Sequence, residues 1–307
     1  MTAEPLLFMQ DLIDPLQYAF FQKGLVVATI SGALLGFVGV YITLRGMSYI
    51  GHGLSHAIFG GFAAASLVSA SFIYLGAGIW GVSSALAINW VTRRHRIGAD
   101  AAIGVITTAS FALGVALLSR FGSSGPGFDN ALFGSIYGIS FDQIVMLIGV
   151  TVATAAFVFF RYRSLLFTTF DPDVAAASGV NVPRTEAILM LLLSLSILAT
   201  LTVIGVTLVA AMLVIPAVVA RMLTDSFRTM LVLSTGIGAA CGLMGMYLSY
   251  FAAVPSGTMI VLTGAAVFCV ALTWQGWRSL TRTVGMDDHP APSTTPPAEP
   301  AASRSLT

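Results

Sequence analysis

The chain has 307 residues, of which 57% are hydrophobic and only 9% are charged, and its mean hydropathy is +0.91. A soluble globular protein carries about 25% charged residues, so this composition excludes that class and predicts a protein lying mostly in a bilayer. The net charge of +1 gives no reason to expect nucleic-acid binding. Met1 to Asp14 lack lysine and arginine, which is not the charge pattern of a cleavable signal peptide, so we expect the first hydrophobic run to be retained.

Uncharged runs predict about nine transmembrane helices, because a bilayer core of about 30 Å takes about 20 apolar residues per helix. The runs are 24–44, two spans within 46–92 that turn near 71–78, 101–119, 143–160, two spans within 187–220, and two within 230–273. Gly205 marks the expected turn in 187–220, and Pro216 is expected to bend a short return helix. The fold class is therefore all-α, a polytopic membrane helical bundle.

The remaining segments define the domain boundaries and the orientation. We expect an extracytoplasmic segment at 1–16, a transmembrane domain at 17–277 and a disordered cytoplasmic tail at 278–307, which is rich in Pro, Ala, Ser and Thr. A loop is expected at 121–129, followed by an interfacial turn of helix at 130–142. With the N-terminus outside and the C-terminus in the cytoplasm, only Lys23 and Arg120 of the 14 basic residues lie outside, as the positive-inside rule favours.

A short stretch of the second run carries two histidines at membrane depth. His52 and His56 are four positions apart, so both imidazoles lie on one face of a helix. A neighbouring ridge of small residues has the same spacing and allows another helix to pack closely: Gly53, Ala57 and Gly61. Ionisable groups at this depth are costly and indicate function, so we interpret the pair as lining a metal pathway. The alternative is two histidines that bind backbone carbonyls of neighbouring helices.

The polar segment 161–184 contains a short helix with signals at both ends. Asp171 suits the N-cap, Pro172 the first helical position and Gly179 the C-terminal stop, with Asp173 in the first turn. This helix is too short and too polar to span a membrane, and we interpret it as a docking element for a cytoplasmic partner. The alternative is a simple capped connection. Because the sequence has no G-x-x-x-x-G-K-[ST] phosphate loop, energy for active transport would come from another subunit.

Several short motifs follow one another in order between residues 17 and 275. They are Leu44-Arg45-Gly46-Met47-Ser48 with 51–61, then 100–104, Asp129 with 132–134, 170–172, 215–217 with 220–221, and 255–257. Together they resemble the bacterial ABC transporter permeases for manganese and zinc, whose second-helix signature reads approximately L-R-x-M-S-x-x-G-D-x-x-S-H-A. The resemblance covers most of the chain.

The resemblance implies a homodimeric permease in the bacterial plasma membrane, similar in architecture to the vitamin B12 and siderophore importers. It implies a cytoplasmic ATP-binding subunit, an extracytoplasmic metal-binding protein and contact with membrane lipid. The divalent metal is then the transported substrate, no cofactor is bound permanently, and the chain is not itself an enzyme. His56 matches the family's metal-pathway histidine, and 171–179 matches its coupling helix.

One position departs from the family pattern. Where the family usually has Asp, this chain has His52, so the pair offers two nitrogen ligands instead of an oxygen and a nitrogen. Imidazole suits zinc better than manganese, which favours zinc while leaving manganese open.

Other classes fit the residues less well. An intramembrane metalloprotease of the H-E-x-x-H type would need a glutamate where Gly53 stands, and a serine hydrolase using Ser55 or Ser256 lacks the nucleophile-elbow pattern. An ion-coupled secondary carrier usually needs acidic groups at the midplane, whereas here they lie at span ends or in loops. A permease for a metal chelate also remains open, although the histidine pair favours the bare ion.

Overall fold

The computed structural model describes residues 14–69, 72–94, 98–121 and 139–284, and every regular element in these ranges is helical. A short 3-10 helix at Asp14–Gln17 precedes ten α-helices. These are α1 Ala19–Leu44, α2 Ile50–Ser66, α3 Ile73–Arg94, α4 Ala99–Phe121, α5 Phe141–Phe170, α6 Pro172–Ala177, α7 Val182–Ile204, α8 Val209–Leu223, α9 Phe227–Ala252 and α10 Ser256–Val284. The all-α prediction is confirmed.

Seven of the described helices are long and apolar enough to cross a membrane: α1, α3, α4, α5, α7, α9 and α10. Helices α2 and α8 occupy the positions of two further expected spans, but they have only 17 and 15 residues. A crossing takes about 20 residues. The count of nine spans therefore stays a prediction.

Several element boundaries differ from those expected. Helix α5 continues past 160 to Phe170, with a local departure from helical geometry at Arg161 (φ −110°, ψ 18°). Helix α3 already begins at Ile73, inside the turn expected near 71–78. Helix α10 continues to Val284, beyond the boundary expected at 278. Residue 121 of the expected loop at 121–129 is the last residue of α4, whereas 122–129, most of the turn at 130–142 and the tail from 285 onward lie outside the described residues.

Helix α1 is the centre of the bundle, and small residues bring α9 against it. A Cβ atom on Gly32 would lie 2.8 Å from the carbonyl carbon of Gly238, so neither helix tolerates a side chain at this crossing. The Ser234 hydroxyl of α9 donates a hydrogen bond of 2.6 Å to the carbonyl oxygen of Gly36. The close approach and this interhelical bond fix α1 and α9 together.

The 187–220 run forms two helices that turn at Gly205, as the sequence predicts. Gly205 ends α7 with φ of +85°, a conformation that favours glycine. Helix α8 then packs back on α1, where a Cβ atom on Gly39 would lie 3.0 Å from the carbonyl carbon of Leu213. Pro216 lies buried inside α8.

Candidate functional site

His52 and His56 lie side by side on α2. Their ring centroids are 4.6 Å apart, and the rings are inclined at 75°. His52 is exposed, and His56 is half-buried. The spacing therefore places both imidazoles on one face, close enough to contact the same ion.

Helix α4 borders this face of α2. The His56 ring lies 5.1 Å from the ring of Phe111, and the two are nearly perpendicular. One turn further along, a Cβ atom on Gly60 would lie 2.5 Å from the carbonyl oxygen of Ser110. A Cβ atom on Gly53 would lie 2.8 Å from Thr107 Oγ1 of the same helix. The glycines thus hold the histidine-bearing helix directly against α4.

The small-residue ridge does not pack against a single helix. Gly53 faces α4, whereas a Cβ atom on Gly61 would lie 2.8 Å from Cγ of Trp80 and 3.2 Å from Cα of Ala77, both on α3. Ala57 between them is fully buried. Helix α2 therefore packs between α3 and α4, and the second glycine against α4 is Gly60, which the four-residue spacing did not single out.

The described part of one protomer supplies no complete metal cage. Among these residues no group of three His, Cys, Asp or Glu side chains could hold one ion. Structural zinc sites have four protein ligands, and catalytic ones have three. A metal ion bound at the two imidazoles would therefore need further ligands from water or from another chain.

The alternatives for the histidine stretch find little support in the contacts. Among the described residues, neither imidazole makes a hydrogen bond to a backbone carbonyl of a neighbouring helix. The hydroxyl of buried Ser55 donates to the carbonyl oxygen of His52 at 2.9 Å. That hydroxyl is engaged within its own helix, which argues against a nucleophile.

The short helix α6 has the caps that the sequence predicts. The Asp171 side chain accepts hydrogen bonds from the backbone N–H groups of Asp173 at 3.1 Å and Val174 at 3.0 Å. Pro172 is the first helical residue, and Gly179 follows the helix with φ of +80°. Ala175 is buried while the residues around it are exposed. The helix is therefore anchored at one point and presents most of its surface outward; its docking role stays a prediction.

Beside the start of α6, one carboxylate joins two arginines. Glu186 of α7 lies 3.6 Å from Arg45 at the end of α1 and 2.6 Å from Arg93 at the end of α3. Arg45 also donates to the Thr169 hydroxyl of α5 at 3.4 Å. Burial lowers the pKa of the Arg45 guanidinium, and the Glu186 carboxylate raises it.

These groups line a cavity of about 460 Å³ that also includes Pro172 of α6. The polar cluster thus connects α6 to the ends of four long helices. Arg45 belongs to one of the sequence motifs, but the sequence did not predict the cluster. Its members Arg45, Arg93 and Glu186 are far apart in the chain.

Residues 17–275 match the ABC 3 transport family. The manganese transport system membrane protein MntC of Halalkalibacterium halodurans is 38% identical over 83% of this chain and 87% of its own length. The manganese import system permease protein ScaB of Streptococcus gordonii is 34% identical over 86% of this chain and 93% of its own. A probable iron transport system membrane protein of Haemophilus influenzae is 30% identical over 86% of this chain and 96% of its own.

Two solved structures share the architecture. PsaBC from Streptococcus pneumoniae in complex with Fab has a TM-score of 0.76 and 32% identity, covering 86% of this chain and 95% of that one. An inward-facing putative metal-chelate type ABC transporter has a TM-score of 0.67 at 16% identity, covering 82% of this chain and 85% of that one, and supports the fold alone. The motif resemblance is therefore confirmed, and the chain belongs to the ABC 3 transport family, as the multi-pass permease of an ABC transporter.

Proposed function

We propose that this chain is the permease subunit of an ATP-driven importer of divalent transition-metal ions in the bacterial plasma membrane. The observation that carries the proposal is the pair of imidazoles on α2, 4.6 Å apart beside α4, in a chain of this family. The metal is the transported substrate, and no permanently bound cofactor is required. The chain itself carries no phosphate loop, so a cytoplasmic ATP-binding subunit supplies the energy by docking on α6.

Two observations bear on the identity of the metal, and they favour different ions. Two imidazoles favour zinc, since a carboxylate is the harder ligand and suits manganese better. The MntC and ScaB relatives, at 38% and 34% identity, are named for manganese. We therefore place manganese first and zinc second, which reverses the preference that the residues alone gave.

The exposure of His52 supports a homodimer. At membrane depth, contact between a polar ring and lipid costs free energy, whereas contact with a partner subunit or a water-filled path does not. In a two-fold dimer with these faces opposed, two imidazoles per protomer give four nitrogen ligands, the number that a tetrahedral site uses. An extracytoplasmic metal-binding protein delivers the ion to this entrance, with the N-terminus of the chain outside and the C-terminus in the cytoplasm.

The test is metal uptake by proteoliposomes that contain the permease and its ATP-binding subunit. Wild type, His52→Asp and His56→Ala are compared at matched protein amount with manganese and with zinc. We expect His56→Ala to abolish uptake of both metals and His52→Asp to retain uptake while shifting preference toward manganese. Normal uptake of both metals by His56→Ala would show that the histidines are structural.

The energy source provides the matched control. Hydrolysable ATP should drive uptake, whereas a proton gradient without ATP should not. Uptake driven by the proton gradient through the permease alone would instead identify an ion-coupled secondary carrier.

A further inference from the structure

A long apolar groove runs along the outside of the bundle between α5 and α9. It has a volume of about 940 Å³ and is lined by exposed side chains such as Val152 and Phe159 of α5 and Val232 of α9. Phe37 of α1 adds a partly buried ring. We infer that this groove binds one anionic phospholipid of the cytoplasmic leaflet, with an acyl chain along the apolar wall and the phosphate on Arg228.

The length of the groove fits one leaflet. Its α5 wall extends from Val152 to Tyr162, ten positions along the helix. At 1.5 Å per residue this is about 15 Å, which equals half of a hydrocarbon core of about 30 Å. An acyl chain that starts at the level of Tyr162 therefore ends near Val152, at the bilayer midplane.

The polar end of the groove fits a headgroup. Tyr162 and Arg228 lie at this end, and Arg228 is in the first turn of α9. The α5 backbone departs from helical geometry at Arg161, one residue before Tyr162. Tyrosine is enriched at the membrane–water interface, so we place the membrane edge at this level.

Basic side chains lie at this end of the groove. Arg228 is exposed, and no hydrogen bond or ion pair joins its guanidinium to a described residue. Arg161 and Arg163 flank Tyr162 and are also exposed. A guanidinium binds phosphate oxygens through two parallel N–H bonds, and basic pockets on the cytoplasmic side attract the anionic lipids of that leaflet.

A second copy of the chain suits the groove less well. An isologous interface pairs the same patch on both subunits, so it would bring the arginines of this patch close to those of the second copy, which like charges disfavour. The inference rests on the orientation that the positive-inside rule predicts, and it is independent of which metal is transported.

The experiment uses the full-length chain, delipidated in detergent and titrated with an equal mixture of phosphatidylglycerol and phosphatidylcholine that carry the same acyl chains. Native mass spectrometry then counts the lipids retained per chain. We expect wild type to retain one phosphatidylglycerol with about fivefold preference, which corresponds to about 1 kcal/mol for one arginine near the surface. Arg228→Gln should remove the preference. Arg221→Gln, which alters an exposed arginine in the last turn of α8 that does not line the groove, should keep it.

A second pair of variants tests the apolar wall. Ala155→Trp fills the groove and should reduce retention of both lipids, whereas Ala153→Trp, exposed on the same helix outside the groove, should not. Equal retention of the two lipids by wild type, or equal behaviour of Arg228→Gln and Arg221→Gln, would overturn the inference. A third outcome would also overturn it. If wild type has the mass of a dimer, and Ala155→Trp has the mass of a monomer but retains as much phosphatidylglycerol, then a second copy of the chain covers the groove.

Discussion

Gly60 is a position at which the histidine-bearing helix α2 has no room for a side chain. A Cβ atom there would lie 2.5 Å from the carbonyl oxygen of Ser110, 3.0 Å from its carbonyl carbon and 3.1 Å from Cα of Phe111. All three are backbone atoms, which cannot rotate away. Ordinary contact begins at 3.4 Å, so Gly60→Ala requires α2 and α4 to separate by the difference between 3.4 and 2.5, about 0.9 Å. Overpacking of this kind costs about 1–3 kcal/mol.

The matched control is Gly104→Ala on α4, where an added Cβ atom meets nothing within 4 Å. Inside a helix, alanine is more favourable than glycine by about 1 kcal/mol. Gly104→Ala should therefore leave the stability of the protein unchanged or raise it, whereas Gly60→Ala should lower it. The two variants are compared by thermal unfolding in detergent and by metal uptake with the ATP-binding subunit. Uptake should fall only in Gly60→Ala, because separating α2 from α4 displaces His56 from Phe111. Equal stability and equal uptake in the two variants would refute this account of α2–α4 packing.

Three further predictions concern the cytoplasmic side. Asp171→Ala removes the N-cap of α6 and should lower the stability of that helix by about 1 kcal/mol, and Gly179→Val strains its C-terminal end. Both variants should insert normally in the membrane but co-purify with less of the ATP-binding subunit. Unchanged co-purification would make α6 a simple connection. Glu186→Gln leaves Arg45, whose side chain is 7% exposed, without its counter-charge, so thermal unfolding should show a loss of about 1–3 kcal/mol. An unchanged midpoint would mean that Arg45 finds another acceptor. Deleting the chain after Met286 should leave uptake intact at equal expression, since that composition cannot form a packed core; lost uptake would assign the tail a function.

Features that depend on local chemistry could be predicted from the sequence. The caps of α6 and the turn at Gly205 follow from side chains that bind their own backbone and from glycine's access to positive φ, and the structure has both. The extent of α5 could not be predicted in this way. Hydropathy marks where an uncharged run ends, whereas the helix continues past Arg161 to Phe170.

The packing of α2 shows how helical geometry limits a pattern argument. Each residue turns an α-helix by about 100°, so positions eight apart differ by about 80° and positions seven apart by only about 20°. Gly53 and Gly61 therefore meet different helices, while Gly53 and Gly60 both meet α4. The four-residue spacing correctly identified the small residues on α2. It could not say which neighbouring helix each of them contacts. The cluster of Arg45, Arg93 and Glu186 had no local signal, because only the tertiary fold brings these residues together.

The same geometry gives the two histidines different surroundings. His56 lies about 40° around the helix from His52, which turns it toward Phe111 and leaves His52 exposed. The ring of His56 is thus oriented by its contact with Phe111, whereas no such contact covers the exposed ring of His52 among the described residues. We therefore expect a substitution at His52 to change the exposed surface of α2 while leaving its packing against α3 and α4 in place.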